Sequence, residues 1–221
     1  MIIPGQLDWT KREGDSHFFS ICGTLLDMLW VGLTGGIASG KTTVANFLRE
    51  MAIPVVDADQ LAHMVLKRNK DKVVNYFGPD ILGEDGEINR RKLGEKVFSN
   101  PKLKQSLEDM IHPLVQEKVA EKKRLFEIGG HALAIYDVPL LYEKELDKQF
   151  DHVLLVYVPE SVSKKRLMER NSLSEEEADA RISNQIDIES KKNRADTVLN
   201  NEGDVDCLRA QVEKWKKTIL E

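Results

Sequence analysis

The chain has 221 residues, of which 41% are hydrophobic and 31% charged, and its formal net charge is -5. That length supports one domain with a real core and room for an inserted subdomain. The acidic balance, with both signs mixed along the chain, argues against a large nucleic-acid footprint, which needs a basic surface, while a small phosphorylated ligand can still sit in a local basic pocket.

Residues 1–27 carry Pro4, Gly5, Gly14 and mixed charges. The apolar run 18–30 is too short to span a membrane and contains Asp27. Glu13 and Asp15 separate Lys11-Arg12 from that run, a poor fit to a secretory signal. We expect residues 1–27 to be a loosely ordered extension, or the product of a start codon assigned too early, ahead of a domain covering 28–221. The chain is expected to be cytoplasmic, with no membrane or nucleic-acid partner. Cys22 and Cys207 lie far apart without a CxxC partner, so two free thiols are expected.

From residue 29 the pattern alternates strand and helix. Residues 29–34 read as a short buried strand, followed by a glycine-rich turn. Val44, Phe47, Leu48 and Met51 form a helical stripe over 42–51. Residues 53–57 read as a second strand, with Pro54 near its start. The stretch from about 60 to 128 is rich in Lys, Glu and Leu and reads as a helical insertion. Leu103, Leu107, Ile111, Leu114 and Val115 are spaced for one helix, which Pro113 should kink or break. Strands resume at 132–138 and 152–158. Ser174 with Glu177 matches a capping box opening a helix to about Lys191. A last strand over 195–199 and a last helix over 205–220 complete the chain. Alternating elements of this kind imply an α/β fold with a parallel sheet.

Gly35-Gly36-Ile37-Ala38-Ser39-Gly40-Lys41-Thr42 matches G-x-x-x-x-G-K-[ST] at every fixed position. Such a loop wraps its backbone N–H groups around phosphate, and the helix that follows adds the positive end of its dipole. The motif makes Gly35, Gly36, Ala38, Ser39, Gly40, Lys41, Thr42 and Thr43 candidate ATP-binding residues. Lys41 is expected to reach the β- and γ-phosphates, and the Thr42 hydroxyl to hold Mg²⁺. The expected fold is a three-layer P-loop NTPase core with a parallel sheet and a helical insertion. A guanine-reading Asn-Lys-x-Asp is missing: Asn69-Lys70-Asp71-Lys72 has the wrong fourth residue.

A phosphotransferase also needs an acceptor site, and Val56-Asp57-Ala58-Asp59 ends the second strand where ligands of parallel sheets collect. One carboxylate could take a proton from an attacking hydroxyl and one could cap the next helix; spacing does not assign them. Arg166 and Arg170, four apart on a predicted helix, share a face suited to the charge of a transferring phosphate. Asp137 could support Mg²⁺ or bond a loop, and Asn200 and Asn201 are positional candidates for an adenine pocket.

The run from Thr34 to Val44, followed by Val56 to Asp59, resembles the dephospho-CoA kinase family. The resemblance continues in Asn89-Arg90 with Leu93, Val97-Phe98, His112-Pro113, and the run from Val138 to Glu143. It ends with Arg166 to Arg170, Arg181 to Gln185, Ala195-Asp196 and Asn200. It implies a nucleoside-monophosphate-kinase-like core, with an acceptor subdomain at 60–128 and a lid at about 166–190. It further implies transfer of the γ-phosphate of ATP, with Mg²⁺, to the ribose 3′-hydroxyl of dephospho-CoA. By the same resemblance Asp59 takes the place of the base and Arg166 that of the arginine near the transferring phosphate, with Arg170 beside it. Asp59, Asn89, Arg90 and His112 become candidate substrate contacts, although Asn89 could equally cap a helix and His112-Pro113 end a helical turn. Ala38 stands where the family often has glycine, which is tolerable if its backbone is ordinary. The alternatives are another small-molecule P-loop kinase, acting on a nucleoside or nucleotide, or an ATP-binding regulatory module. A monomer is the default.

Overall fold

The computed structural model describes residues 28–98 and 100–221. The extension expected at 1–27, with Cys22, lies outside the described residues. Five strands, β1 (Leu29–Gly35), β2 (Val55–Asp57), β3 (Leu133–Asp137), β4 (His152–Tyr157) and β5 (Thr197–Asn200), form one parallel sheet in the order β2-β3-β1-β4-β5. The strands read as continuous apolar runs because both faces are covered.

Successive residues of a strand serve opposite faces. Val31, Leu33, Leu133, Ile135, Leu154 and Val156 face one core, filled by Val44, Phe47 and Leu48 of α1 (Lys41–Glu50) and Leu208, Val212 and Trp215 of α9 (Val205–Leu220). Trp30, Ala134, Tyr136 and Val153 face the other, with Leu61 of α2 (Ala58–Arg68) and Val115, Val119 and Phe126 of α5 (Pro101–Ile128).

Between β2 and β3 run α2, α3 (Lys70–Phe77), α4 (Arg90–Phe98) and α5, around a cluster of Val65, Val73, Phe77, Ile81, Leu93 and Ile111. The expected break at Pro113 does not occur: α5 is one helix of 28 residues with Pro113 inside it. The proline removes the hydrogen bond to the Asp109 carbonyl, a local loss of about 3 kcal/mol. Burial on both sides of that point offsets it, through Leu103, Leu107 and Ile111 before the proline and Val115, Val119 and Phe126 after it.

The C-terminal half departs from expectation at one point. Ser174 and Glu177 form the capping box of α7 (Glu175–Ile182), which follows α6 (Glu160–Asn171), but the helix stops at Ile182. A separate α8 (Ile188–Lys192) begins after Asp187, whose carboxylate accepts from Ser190 N at 3.0 Å. In the gap, Ser183 Oγ and Asn184 Nδ2 both donate back to the Ala180 carbonyl, competing with helix continuation. Among the described residues no helix is long and apolar enough to cross a membrane.

His152, at the start of β4, contacts Thr197 Oγ1 at 2.9 Å and accepts from Trp215 Nε1 at 3.5 Å, an arrangement that suits the neutral ring. Burial holds its pKa below 6.5, with Asp196 opposing in part. The unfolded chain therefore binds more protons, and the stability His152 contributes is complete above 6.5 and lost as pH falls towards the depressed folded value. Thermal melts from about pH 8 to about pH 5 should show a steeper loss for the native chain than for His152→Gln. Parallel curves would remove His152 as the source.

Candidate active site

The phosphate-loop motif occupies the turn from β1 into α1, at the carboxyl edge of the sheet. Gly40 caps α1 with φ 92°, in the left-handed region that glycine enters cheaply. A Cβ there would also collide with the Asn201 side-chain amide. Ala38 has φ 56°, so the ordinary conformation under which alanine would be neutral is not adopted. Roughly 1–2 kcal/mol of strain is held there by the surrounding contacts.

Those contacts take up the loop's carbonyls. Gly36 O accepts from Ser39 N at 3.1 Å, and Gly40 O from Thr43 N at 3.0 Å. Ser163 Oγ, on α6, donates to Ile37 O. Asn201 Nδ2, just after β5, donates to Ser39 O at 2.7 Å. The Asn201 N–H in turn donates to Tyr157 O at 2.9 Å, and its carbonyl accepts from Arg166 Nη2 at 2.9 Å. The N–H groups of Ala38, Gly40, Lys41 and Thr42 find no acceptor among the described residues. The loop is thus a concave array of donors at a helix N-terminus, which is an anion site. Ser39 Oγ is also buried there without a partner among the described residues.

The loop opens on a cleft of about 680 Å³. Gly35, Gly36, Ala38, Ser39, Gly40, Lys41, Thr42, Thr43, Asp59, Arg166 and Arg170 all line it. A second cleft of about 570 Å³ adjoins it, lined by Asp59, Ile111, His112, Tyr136 and Lys144 among others. Asp59, Pro139 and Gln185 line both. A third, of about 230 Å³, brings Arg90 beside His112 and Asp59.

The geometry separates the two aspartates. Asp57 is the N-cap of α2, accepting from Gln60 N at 2.9 Å and Gln60 Nε2 at 3.2 Å. Asp59 is exposed, in the first turn of that helix and on the cleft lining, and its carboxylate has no partner among the described residues. Its charge, after burial, helps push the neighbouring Tyr136 phenol up to about 12. Asp137, at the end of β3, pairs with Lys41 Nζ. Burial raises the Asp137 pKa while Lys41 opposes. Among the described residues no group of three His, Cys, Asp or Glu side chains is arranged to hold a metal alone. The Thr42 hydroxyl and Asp137 carboxylate are hard oxygen donors that fit Mg²⁺ shared with phosphate oxygens.

Two of the candidate residues have local partners. Asn89 lines none of these clefts; its Oδ1 accepts from Arg91 N and Lys92 N at 3.0 and 3.2 Å, capping α4. The Asn200 side chain bonds Glu202, and its backbone N–H donates to Gln211 Oε1 at 2.9 Å. Sequence reasoning also gave no role to Gln185 or Ser163. Gln185 Oε1 accepts from Ile37 N at 3.0 Å, across 148 residues of sequence. Its signals in the sequence are its place at the end of the Arg181 to Gln185 run, the helix-breaking Ser183-Asn184 before it and the capping Asp187 after it.

Comparison with known proteins gives a consistent set of matches. The family model for dephospho-CoA kinase matches residues 29–206. A dephospho-CoA kinase of Bdellovibrio bacteriovorus is 46% identical over 197 residues, covering 88% of this chain and 98% of its own. A crystal structure from Thermus thermophilus superposes with a TM-score of 0.76 at 35% identity, covering 87% of this chain and 96% of its own. A dephospho-CoA kinase structure from Campylobacter jejuni gives 0.64 at 30% identity, covering 87% and 97%.

One buried ion pair supports the site from behind. Lys191 Nζ, on α8, is fully buried and lies 2.6 Å from Glu143 Oε1, which also accepts from Ile186 N at 3.0 Å. Glu143→Ala should lower stability by about 3–5 kcal/mol in urea denaturation, because it leaves a buried ammonium unpaired. Glu143→Leu combined with Lys191→Met should recover much of that loss. A loss under about 1 kcal/mol in the single variant would show that water reaches Lys191.

Proposed function

The chain belongs to the dephospho-CoA kinase family, and from that premise we propose that it transfers the γ-phosphate of ATP to the ribose 3′-hydroxyl of dephospho-CoA, giving ADP and coenzyme A. The observation that carries the reading is the position of Asp59. It borders both the cleft of the phosphate loop and the adjoining cleft, opposite Lys41 rather than across the sheet from it.

The triphosphate lies against the free amides of Ala38, Gly40, Lys41 and Thr42, with Lys41 on its β- and γ-phosphates. The acceptor enters the cleft beside His112, Tyr136 and Asp59, with Arg90 further along. Asp59 accepts the proton of the attacking hydroxyl as that oxygen bonds to the γ-phosphorus. The bond from the γ-phosphorus to the bridging oxygen breaks, and its electron pair leaves on ADP. Arg166, with its guanidinium braced on the Asn201 carbonyl, and Arg170 neutralise charge on the transferring group. Thr42 and Asp137 would hold Mg²⁺, which when bound draws charge off the phosphate oxygens. The hairpin of α6 and α7 acts as the lid, and its closure excludes water so that ATP is not hydrolysed. Residues 60–128 serve as the acceptor-binding subdomain. The reading places this work in the cytoplasm, on small substrates, by a monomer.

Incubation with ATP, Mg²⁺ and dephospho-CoA should yield coenzyme A by mass. Asp59→Asn should lower kcat by about 10²- to 10⁴-fold while ATP still binds. Turnover like that of the native chain in this variant would remove Asp59 from the reaction. Lys41→Ala should lose most transfer, and undiminished transfer would contradict the role of the loop.

A further inference from the structure

The junction between the two clefts has three residues on both sides: Asp59, Pro139 and Gln185. Asp59 offers an acceptor, and proline offers no side-chain hydrogen-bonding group. Gln185 alone of the three brings a side-chain donor.

Its orientation is determined by the loop. The Ile37 N–H donates to Gln185 Oε1 at 3.0 Å, which only the oxygen of the carboxamide can accept. Nε2, with two N–H groups, is left without an acceptor among the described residues. The Ile37 N–H is therefore engaged by a side chain, while those of Ala38, Gly40, Lys41 and Thr42 remain free among the described residues. The carboxamide passes on the donor character that the loop gives up at this position.

The residue is also held firmly. The Ile186 N–H is bound by Glu143, itself paired with buried Lys191, and Asp187 caps α8 through Ser190. The Ile188 side chain lies against Gly36, whose added Cβ would meet it at 3.4 Å. A donor fixed on both sides needs no reorganisation when charge develops beside it.

We propose that Gln185 is a catalytic residue, whose Nε2 donates a hydrogen bond to an oxygen of the phosphoryl group as it crosses from the first cleft to the second. This rests on the phosphotransfer reading above. Negative charge spreads over the oxygens of that group in transit, and a donor at the midpoint favours that state over either bound end state. Loss of the donor then lowers kcat more than it weakens binding of either substrate.

Two variants separate this role from a structural one. Gln185→Glu keeps an oxygen for the Ile37 N–H and removes the donor; Gln185→Met removes both. Measured for coenzyme A formation, with ATP affinity titrated separately and melting followed, kcat should fall about 100-fold in both. A kcat within about twofold of the native value in Gln185→Glu overturns the proposal, whatever Gln185→Met does, because the loop contact alone would then be what matters. A loss confined to KM overturns it as well. In the unsubstituted enzyme, the Gln185 carboxamide proton resonances should shift when ADP, aluminium fluoride and dephospho-CoA are bound together. Unmoved resonances overturn the proposal without reference to any variant. Native enzyme that forms coenzyme A normally while the variants are unaffected removes Gln185 alone. Native enzyme that forms none removes the kinase reading, and this proposal with it.

Discussion

Backbone amides can serve a phosphate only if the carbonyls of the same segment are satisfied elsewhere. In this chain Ser163, Asn201 and Gln185 reach the loop from three distant segments. The first two take its carbonyls and the third takes one amide, which leaves the amides of Ala38, Gly40, Lys41 and Thr42 without an acceptor among the described residues. The left-handed conformations at Ala38 and Gly40 follow from the same demand, since successive amides converge only if the chain reverses its twist. Strain at a non-glycine position persists where neighbours over-determine the backbone, and Ala38 sits between the Ser163 and Asn201 anchors.

The rest of the architecture brings an acceptor to that donor array. The order of the sheet sets β1 between β3 and β4, so the loop after β1 is flanked by Asp137 on one side and by α6 with its arginines on the other. The chain enters α2 through the Asp57 cap, which aims the next carboxylate, Asp59, at the cleft. Helices α2 and α5 over the second face of the sheet then wall the adjoining chamber, with His112 of α5 and Tyr136 of β3 among its lining. The buried Glu143–Lys191 pair ties the segment after β3 to α8 and so keeps the junction between chambers in register. Buried pairs of this sort add little net stability, and their use here is positional.

Much of the fold was legible because its signals are local. A buried strand, a glycine-rich turn and an amphipathic stripe occur in sequence within residues 29–51, and the capping box at Ser174 and Glu177 forms as its spacing requires. Pro113 misled because a propensity cost of a few kcal/mol was weighed without the packing on either side of it. The helix expected to run to Lys191 misled for the opposite reason: Ser183 and Asn184 are ordinary polar residues until their side chains turn back onto the Ala180 carbonyl. Asn89 was open between ligand and cap, and a cap is a contact two and three residues away that only coordinates can register.

By itself the sequence determined the phosphate loop, the alternating α/β order and the candidacy of the Asp57–Asp59 pair, because each depends on residues close together in the chain. Which aspartate caps and which faces the cleft was decided by the tertiary structure, as was the convergence of Ser163, Gln185 and Asn201 on one loop. Those contacts span more than a hundred residues and depend on how α6, α8 and β5 pack around the carboxyl edge of the sheet. No periodicity or motif encodes such a meeting, since the free energy that produces it comes from burying the two faces of the sheet and not from the polar residues that are carried into place.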